Sequence, residues 1–384
     1  MASIALPWIQ LLAAFGALQG ILLACVLVAH RKNRTANRLL AALMVSFSLY
    51  LGSSAIEFAG LVRALPHFIG VGYQTPLVFG PLVYLYAVAA SDRSWRFTRR
   101  TALHFVPLAV SVAATAHIYM MSGAEKLALY DRIVAGDVPT VLVVLDPLKY
   151  VSGIAYSAAT VLYLRAHRRR VEDSYSNTAR VNLVWLLWLA GAGAAIWLLA
   201  TVLRIADVGV RDEHVTLAIA LLVYSIGYAG LKQPEVFRYE TAEYPVPVRL
   251  VAAEPPASPP RYERPALADG EAAQLERRLI EVMESERPWA DSELTLSDLA
   301  ARLDSTPHKL SELLNAQIGK SFYDFVNGYR VREVQRRIQA GEARTRKMLA
   351  LALDAGFASK STFNEAFKKH TLQTPSDFRQ AVGA

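Results

Sequence analysis

The sequence predicts an all-α protein in two parts: a polytopic seven-helix membrane domain, followed by a soluble all-helical domain with two helix-turn-helix units. Three observations predict it. Hydrophobic residues make up 53% of the chain and charged residues only 19%, which is unusual for a soluble protein. The apolar residues are concentrated in long stretches before residue 231, and a proline-rich segment follows them. The last third of the chain has capped, amphipathic helical patterns of ordinary polarity.

The apolar stretches each approach the length that crosses a bilayer, since about 20 apolar helical residues cover the ~30 Å hydrocarbon core. A buried helical core in a large soluble protein is the competing interpretation. Seven successive stretches with basic connections favour a seven-span domain over residues 1–231, with the lipid bilayer as partner. The stretches lie at about 6–29, 39–60, 68–90, 101–121, 141–164, 181–203 and 214–231.

The connections between these stretches differ in charge. The first, third and fifth connections carry thirteen basic residues, whereas the even-numbered ones carry five. Basic connections stay in the cytoplasm, so the sequence predicts an outside N-terminus and a cytoplasmic C-terminal domain. The first stretch has no basic region before it, so we expect a retained span rather than a signal peptide. This pattern predicts a multi-pass protein of the inner (cytoplasmic) membrane of the cell.

Residues 232–268 contain eight prolines and few large apolar residues. Such a composition predicts a linker rather than a folded domain. A loose linker transmits proximity better than torque, so the sequence predicts signalling that pairs or separates two C-terminal domains, as in a homodimer. Proteolytic release of the C-terminal domain within the linker is an alternative that the sequence permits.

Residues 348–379 have the form of a helix, a tight turn and a second helix. Gly356 stands where the chain must turn, since glycine adopts φ > 0 without steric cost. Ser359 offers an oxygen that can cap the second helix. Phe363 and Phe367 are four residues apart and form its buried face. Polar residues remain on the other face, as major-groove reading requires.

A second pair of helices is predicted upstream. Thr295 and Asp298 form a capping-box pattern before an apolar run. Thr306 and Pro307 then supply a cap and a first helical residue for the next helix. Between the two pairs, the apolar spacing predicts one long helix over residues 321–339.

These segments resemble the AraC/XylS family of bacterial transcription regulators, over roughly residues 271–384. The resemblance implies that two helix-turn-helix units, joined by a rigid helix, place recognition helices in successive major grooves of double-stranded DNA. One departure is Leu372, where the family usually has glycine. The motifs that carry the resemblance are L-T-L-S-D-L-A (294–300), G-K-S-F (319–322), the linker helix with Arg330, A-G-F-x-x-K-S-T-F-x-x-x-F-K-K (355–369) and T-P-S-D-F-R (374–379).

The outward polar residues of the two second helices are the candidate DNA contacts. On such helices an exposed polar side chain contacts phosphate more often than a base edge. Residues 271–384 hold 17 basic and 16 acidic side chains, so bulk charge alone does not indicate DNA binding. The candidates are His308, Lys309, Ser311, Glu312, Asn315, Lys360, Ser361, Thr362, Glu365 and Lys368.

Ionisable and polar groups within or near the spans predict a pocket for an unknown small-molecule or protein signal. Such groups are costly in a membrane and often functional. Asp146 and Lys149 are three residues apart on a helix, so a purely structural ion pair is the competing interpretation. The candidate pocket residues are Glu57, Gln74, Asp146, Lys149 and Arg204.

Two function classes follow from the sequence. The first is a membrane-anchored, signal-responsive, sequence-specific transcription regulator. The second is a membrane receptor or transporter whose C-terminal helices bind a protein partner. Cys25 is the only cysteine, and the phosphate-cradling and catalytic motifs sought in the sequence do not occur. We therefore expect no enzymatic activity, no cofactor and no metal.

Overall fold

The computed structural model describes residues 8–30, 33–92, 94–177, 184–205, 213–232 and 269–383. Within these ranges the chain is helical and no strand forms, as the sequence predicts. The predicted linker after Lys232 and the starts of the first and sixth apolar stretches lie outside the described residues. The chain divides into two compact units, Met1–Arg165 with Leu183–Pro245 and Ala166–Asn182 with Val246–Ala384.

The first unit contains the apolar helices. The last residues of α7, from Ala166 onward, belong to the second unit. The helices are α1 Ile9–Ala29, α2 Arg34–Phe58, α3 Pro76–Ser91, α4 Arg99–Ala102, α5 Val106–Tyr119, α6 Gly123–Val134, α7 Thr140–Ser174, α8 Val184–Ile205 and α9 Glu213–Lys232.

Close approach of α1 and α2 organises the core of this unit. A Cβ atom on Gly20 would lie 2.3 Å from the Oγ of Ser48 and 3.2 Å from the Met44 carbonyl oxygen, so a larger residue there would force Ser48 to move. Leu40 and Met44 are fully buried beside this contact. The opposite face of α1 is exposed and wholly apolar, which suits lipid rather than water. That face presents Leu11, Phe15, Leu18, Leu22 and Val26.

Among the described helices, five are long and apolar enough to cross a membrane by length and composition. Two further apolar helices, Pro76–Ser91 and Glu213–Ile226, are shorter. All seven apolar stretches of the sequence therefore contain helix, and the length criterion supports five of them as spans. The five are Ile9–Ala29, Arg34–Phe58, Arg99–Met120, Thr140–Ser174 and Trp185–Ile205.

The third apolar stretch differs most from its predicted bounds of 68–90. Helix α3 begins only at Pro76, and short 3₁₀ turns at Leu61–Arg63 and Pro66–Phe68 precede it. Gly70, between the second of these turns and α3, takes a left-handed φ of 82°. Proline and left-handed glycine break the regular helix here, which shortens the predicted span.

The second unit is built around one long helix with two hydrophobic cores. The N-terminal half of that helix, through Phe322 and Val326, packs with the first helix pair. Its C-terminal half, through Val334 and Ile338, packs with the second pair. The helices are α10 Asp269–Ser285, α11 Leu296–Arg302, α12 Pro307–Glu312, α13 Phe322–Gln339, α14 Met348–Asp354, α15 Lys360–Thr371 and α16 Pro375–Val382.

Candidate functional sites

The first helix pair, α11 and α12, is held by local side-chain caps. Thr295 Oγ1 accepts a hydrogen bond from the Asp298 amide at 3.2 Å, and the Asp298 carboxylate accepts one from the Thr295 amide at 3.0 Å. Asp304 makes the turn in a left-handed conformation, with φ 51°. Thr306 then accepts from the Lys309 amide at 3.3 Å. These caps satisfy amides that a helix start leaves unpaired.

The second pair, α14 and α15, turns at Gly356, which has φ 90°. A Cβ atom there would lie 2.3 Å from the Trp289 carbonyl oxygen, so glycine is required for close approach as well as for the turn. Ser359 Oγ accepts from the Thr362 amide at 3.2 Å. The Phe363 and Phe367 rings lie 5.6 Å apart inside the core, and they fix α15 from behind.

The ten candidate DNA contacts fall into three groups by burial. Glu312 and Thr362 are buried, at 6% and 8% exposure, and Thr362 also bonds the capping Ser359. Lys309 and Ser311 are half-buried, and Lys309 is ion-paired with Glu271. The remaining candidates are exposed, and they are His308, Asn315, Lys360, Ser361, Glu365 and Lys368.

One fully buried arginine lies in the middle of α13. Arg330 is 1% exposed, and its Nε and Nη2 donate to the carbonyls of Trp289 and Asp291, each at 2.7 Å. Its Nη1 donates to Asn327 Oδ1 at 3.1 Å. Burial lowers the pKa of Arg330 to about 10, so the guanidinium remains charged at neutral pH. The carbonyl acceptors offset its desolvation.

A second charged cluster joins α13 to α14. The Glu333 carboxylate accepts from Arg336 and from Arg337, both at 2.8 Å. Arg337 also reaches Asp354 at 3.2 Å. The hydrogen bond from Arg336 is the main reason that the pKa of Glu333 falls to about 2.

The departure from the family pattern at Leu372 has a structural consequence. Leu372 follows α15 in the left-handed region, with φ 62°, and its side chain is 88% exposed. A side chain in this region costs about 1–2 kcal/mol. The turn geometry is therefore retained without glycine, at a local cost in stability.

The first unit encloses a cavity of about 430 Å³. Glu57, Asp146 and Lys149 line it, so the structure brings three of the five candidate pocket residues together. Gln74 lies behind the wall, since it hydrogen-bonds the cavity-lining Thr115 at 3.0 Å. Apolar and aromatic side chains form most of the remaining lining, which suits a ligand with a large apolar portion.

The charged groups at the cavity form a shared cluster. Asp146 accepts from Lys149 at 3.2 Å and from Arg204 at 3.3 Å. The Lys149 Nζ also lies 3.1 Å from the centre of the Tyr73 ring, a cation–π contact. Lys149 is 7% exposed. The ion pair of the structural interpretation is thus present, and it forms part of the cavity wall.

Sequence reasoning missed the partners of Arg330. Arg330 lies four residues from both Val326 and Val334 on the inner face of α13, and this spacing could have indicated a buried arginine. No local pattern marks Ser176, whose hydroxyl lies 3.1 Å from Arg330 Nη2, because the contact joins distant parts of the chain.

Comparison with known families agrees with this geometry in the C-terminal region. Residues 299–381 match a family model described as "Helix-turn-helix domain", and they form an AraC-type helix-turn-helix domain. The match covers α12 to α15 and most of α11 and α16. No curated protein and no solved structure matches the chain.

Proposed function

We propose that this protein is a membrane-anchored, sequence-specific DNA-binding transcription regulator that responds to an extracytoplasmic or membrane-borne signal. The observation that carries the proposal is the pair of capped helix-turn-helix units on a shared helix, α13. Each unit has a second helix fixed from behind by apolar residues, with polar side chains such as Asn315 and Lys360 exposed in front. A helix supported in this way can enter a major groove.

Membrane anchoring is supported by the apolar helices of the first unit and by the apolar outer face of α1. The charge of the connections supports a cytoplasmic C-terminal domain, where DNA is available. The proposed location is the bacterial inner membrane, with the chain passing through it several times. We assign no catalytic step to the chain.

Signal reception is proposed for the cavity of the first unit. A volume of about 430 Å³ is in the range of small-molecule sites. The polar groups at Asp146 and Lys149 would orient a mainly apolar ligand. Pairing of two chains through the linker would convert the signal into higher effective concentration of DNA-binding domains.

The proposal is tested by DNA binding of the purified fragment 269–384. In a gel mobility-shift measurement, we expect this fragment to bind DNA from upstream of its own coding region more tightly than an unrelated duplex. We also expect affinity to fall steeply as salt rises, because phosphate contacts release counterions. A folded fragment that binds no duplex even at low salt would contradict the proposal.

A second candidate function is a membrane receptor whose C-terminal domain binds a protein. Glu365 is exposed on α15, the second helix of the second helix-turn-helix unit, and a carboxylate there repels phosphate. Capture of a protein partner by a fragment that binds no DNA would favour this alternative.

A further inference from the structure

Residues 166–177 belong to the same compact unit as the helix-turn-helix domain, although the sequence assigns them to a connection between apolar stretches. Their last described residues insert into the domain. Ser176 is fully buried, and Asn177 is 9% exposed. The Tyr175 backbone pairs with that of Thr295 at the start of the first helix pair.

Ser176 is anchored by the buried arginine of α13. Its carbonyl and its hydroxyl oxygen accept from Arg330 Nη1 and Nη2, each at 3.1 Å. The Ser176 hydroxyl in turn donates to the Leu294 carbonyl at 2.6 Å. Buried hydrogen bonds to a charged group are among the stronger ones in proteins. Ser176 therefore fixes the end of the segment to the domain through three hydrogen bonds.

From this anchor the segment contacts the second helix of each helix-turn-helix unit, the helix that would enter a major groove. The Asp173 carboxylate accepts a hydrogen bond from Asn315, which lies in the π-helical segment Leu313–Ile318 that directly follows α12. Arg168 lies 3.7 Å from Glu365 of α15. Asn315 and Glu365 are both candidate DNA contacts, one in each helix-turn-helix unit. One short segment thus engages the surfaces that would meet two successive major grooves.

DNA and this segment cannot use those side chains together. A groove-bound Asn315 or Glu365 would have to leave its partner in the segment. We propose that residues 166–177 are an internal competitor of DNA. DNA binding then requires their release from the reading surface, which is the outward polar face of the second helix of each helix-turn-helix unit.

This inference rests on the DNA-binding function proposed above and adds its control. The competitor is part of the same chain, so its effective concentration is high without any partner. The apparent DNA affinity equals the intrinsic affinity multiplied by the fraction of molecules in which the surface is free. The segment directly follows the fifth apolar stretch along the chain, so a signal that acts on that helix could change this fraction.

Release is tested in the full chain, reconstituted in nanodiscs, by fluorescence anisotropy with a mixed-sequence duplex at low salt. Ser176→Leu cannot fit the buried slot, so it frees the surface. We expect it to bind DNA roughly tenfold more tightly than the parent. Ser174→Leu is the matched control, since Ser174 is half-buried two residues away, and should bind as the parent does. Misfolding would weaken binding, so it cannot produce the expected gain.

Locking the segment gives an independent arm. In a Cys25→Ser background, Asn177→Cys and Glu293→Cys, whose parent side chains lie 3.5 Å apart, are joined by a reducible bis-maleimide. We expect the joined protein to lose DNA binding and to regain it on reduction. Equal affinity of joined and reduced protein, together with no gain in Ser176→Leu, would overturn the competitor while leaving DNA binding intact. Absence of binding in every form, including Ser176→Leu, would instead contradict the DNA-binding function itself.

Discussion

Arg330 Nη2 and Ser176 Oγ lie 3.1 Å apart, although 154 positions separate them in the chain. The same guanidinium holds the carbonyls of Trp289 and Asp291. A buried arginine is stable only when its N–H groups find acceptors. Arg330 therefore ties two separate chain segments, one at Trp289 and Asp291 and one at Ser176, to the middle of α13.

Replacing Arg330 should destabilise the C-terminal unit. Arg330→Leu leaves several buried carbonyls without a donor, and we expect a loss of roughly 3 kcal/mol. Hydrogen exchange of the α13 amides in the full chain measures it. The control is Arg332→Leu, because Arg332 is exposed and stacks on Tyr329 at 4.1 Å. Equal exchange rates in the two variants would contradict a structural role for the buried network.

Leu372→Gly should stabilise the turn between α15 and α16. Glycine removes the left-handed strain, and the exposed leucine side chain loses little burial. We expect a gain of roughly 1 kcal/mol, after allowing for the greater freedom of glycine in the unfolded chain. Slower exchange of the α16 amides measures it. Leu372→Ala keeps the strain and should give no gain; stabilisation by both variants would point to another cause.

The parts of the fold that sequence predicted rest on local chemistry. Thr295, Thr306 and Ser359 accept hydrogen bonds from amides three residues ahead. Such caps can therefore be predicted from residues that are close together in the sequence. The position of α13 follows from its apolar spacing. The Ser176 contact could not be predicted in this way, because its partners come from distant segments and no local repeat encodes it.

The cavity was partly predictable for a similar reason. Asp146 and Lys149 are three residues apart, so their pairing follows from helix geometry. Tertiary packing decides the other two positions. It brings Arg204 of α8 to Asp146 and places Gln74 behind the cavity wall. Helix α3 is shorter than predicted because a proline and a glycine before Pro76 break the helix. The apolar composition of the stretch does not reveal this break.

Acid should weaken the α13–α14 junction through Glu333. Its pKa falls from the ordinary 4.5 to about 2 in the folded protein, so its stabilisation is complete above about pH 4.5 and is lost as pH falls toward 2. Glu333→Gln should lower the free energy of unfolding by about 2–3 kcal/mol at neutral pH and have little effect near pH 2. Urea unfolding across this range measures it. The exposed Glu284→Gln should show no such pH-dependent difference.

Two adjacent lysines should contribute differently to DNA binding. Lys368 is exposed on α15, whereas Lys369 is held by Asp324 at 2.6 Å. Lys368→Gln should weaken binding to all duplexes and reduce the salt slope by about 1, as loss of one phosphate contact does. Lys369→Gln should change the slope less. Salt titrations of duplex binding measure both, and identical slopes would exclude Lys368 as a phosphate contact.

Neutralising Asp146 should separate signal reception from DNA binding. Asp146→Asn removes the carboxylate that Lys149 and Arg204 share, and leaves a buried ammonium at the cavity wall. We expect reporter expression to stop responding to growth conditions, with duplex binding by the purified protein unchanged. The control is Asp131→Asn, because Asp131 pairs with Arg63 at an exposed site. An unchanged response in Asp146→Asn, with the protein folded and at normal abundance, would remove the cavity from the signalling route, since the cluster at its wall would then be only structural.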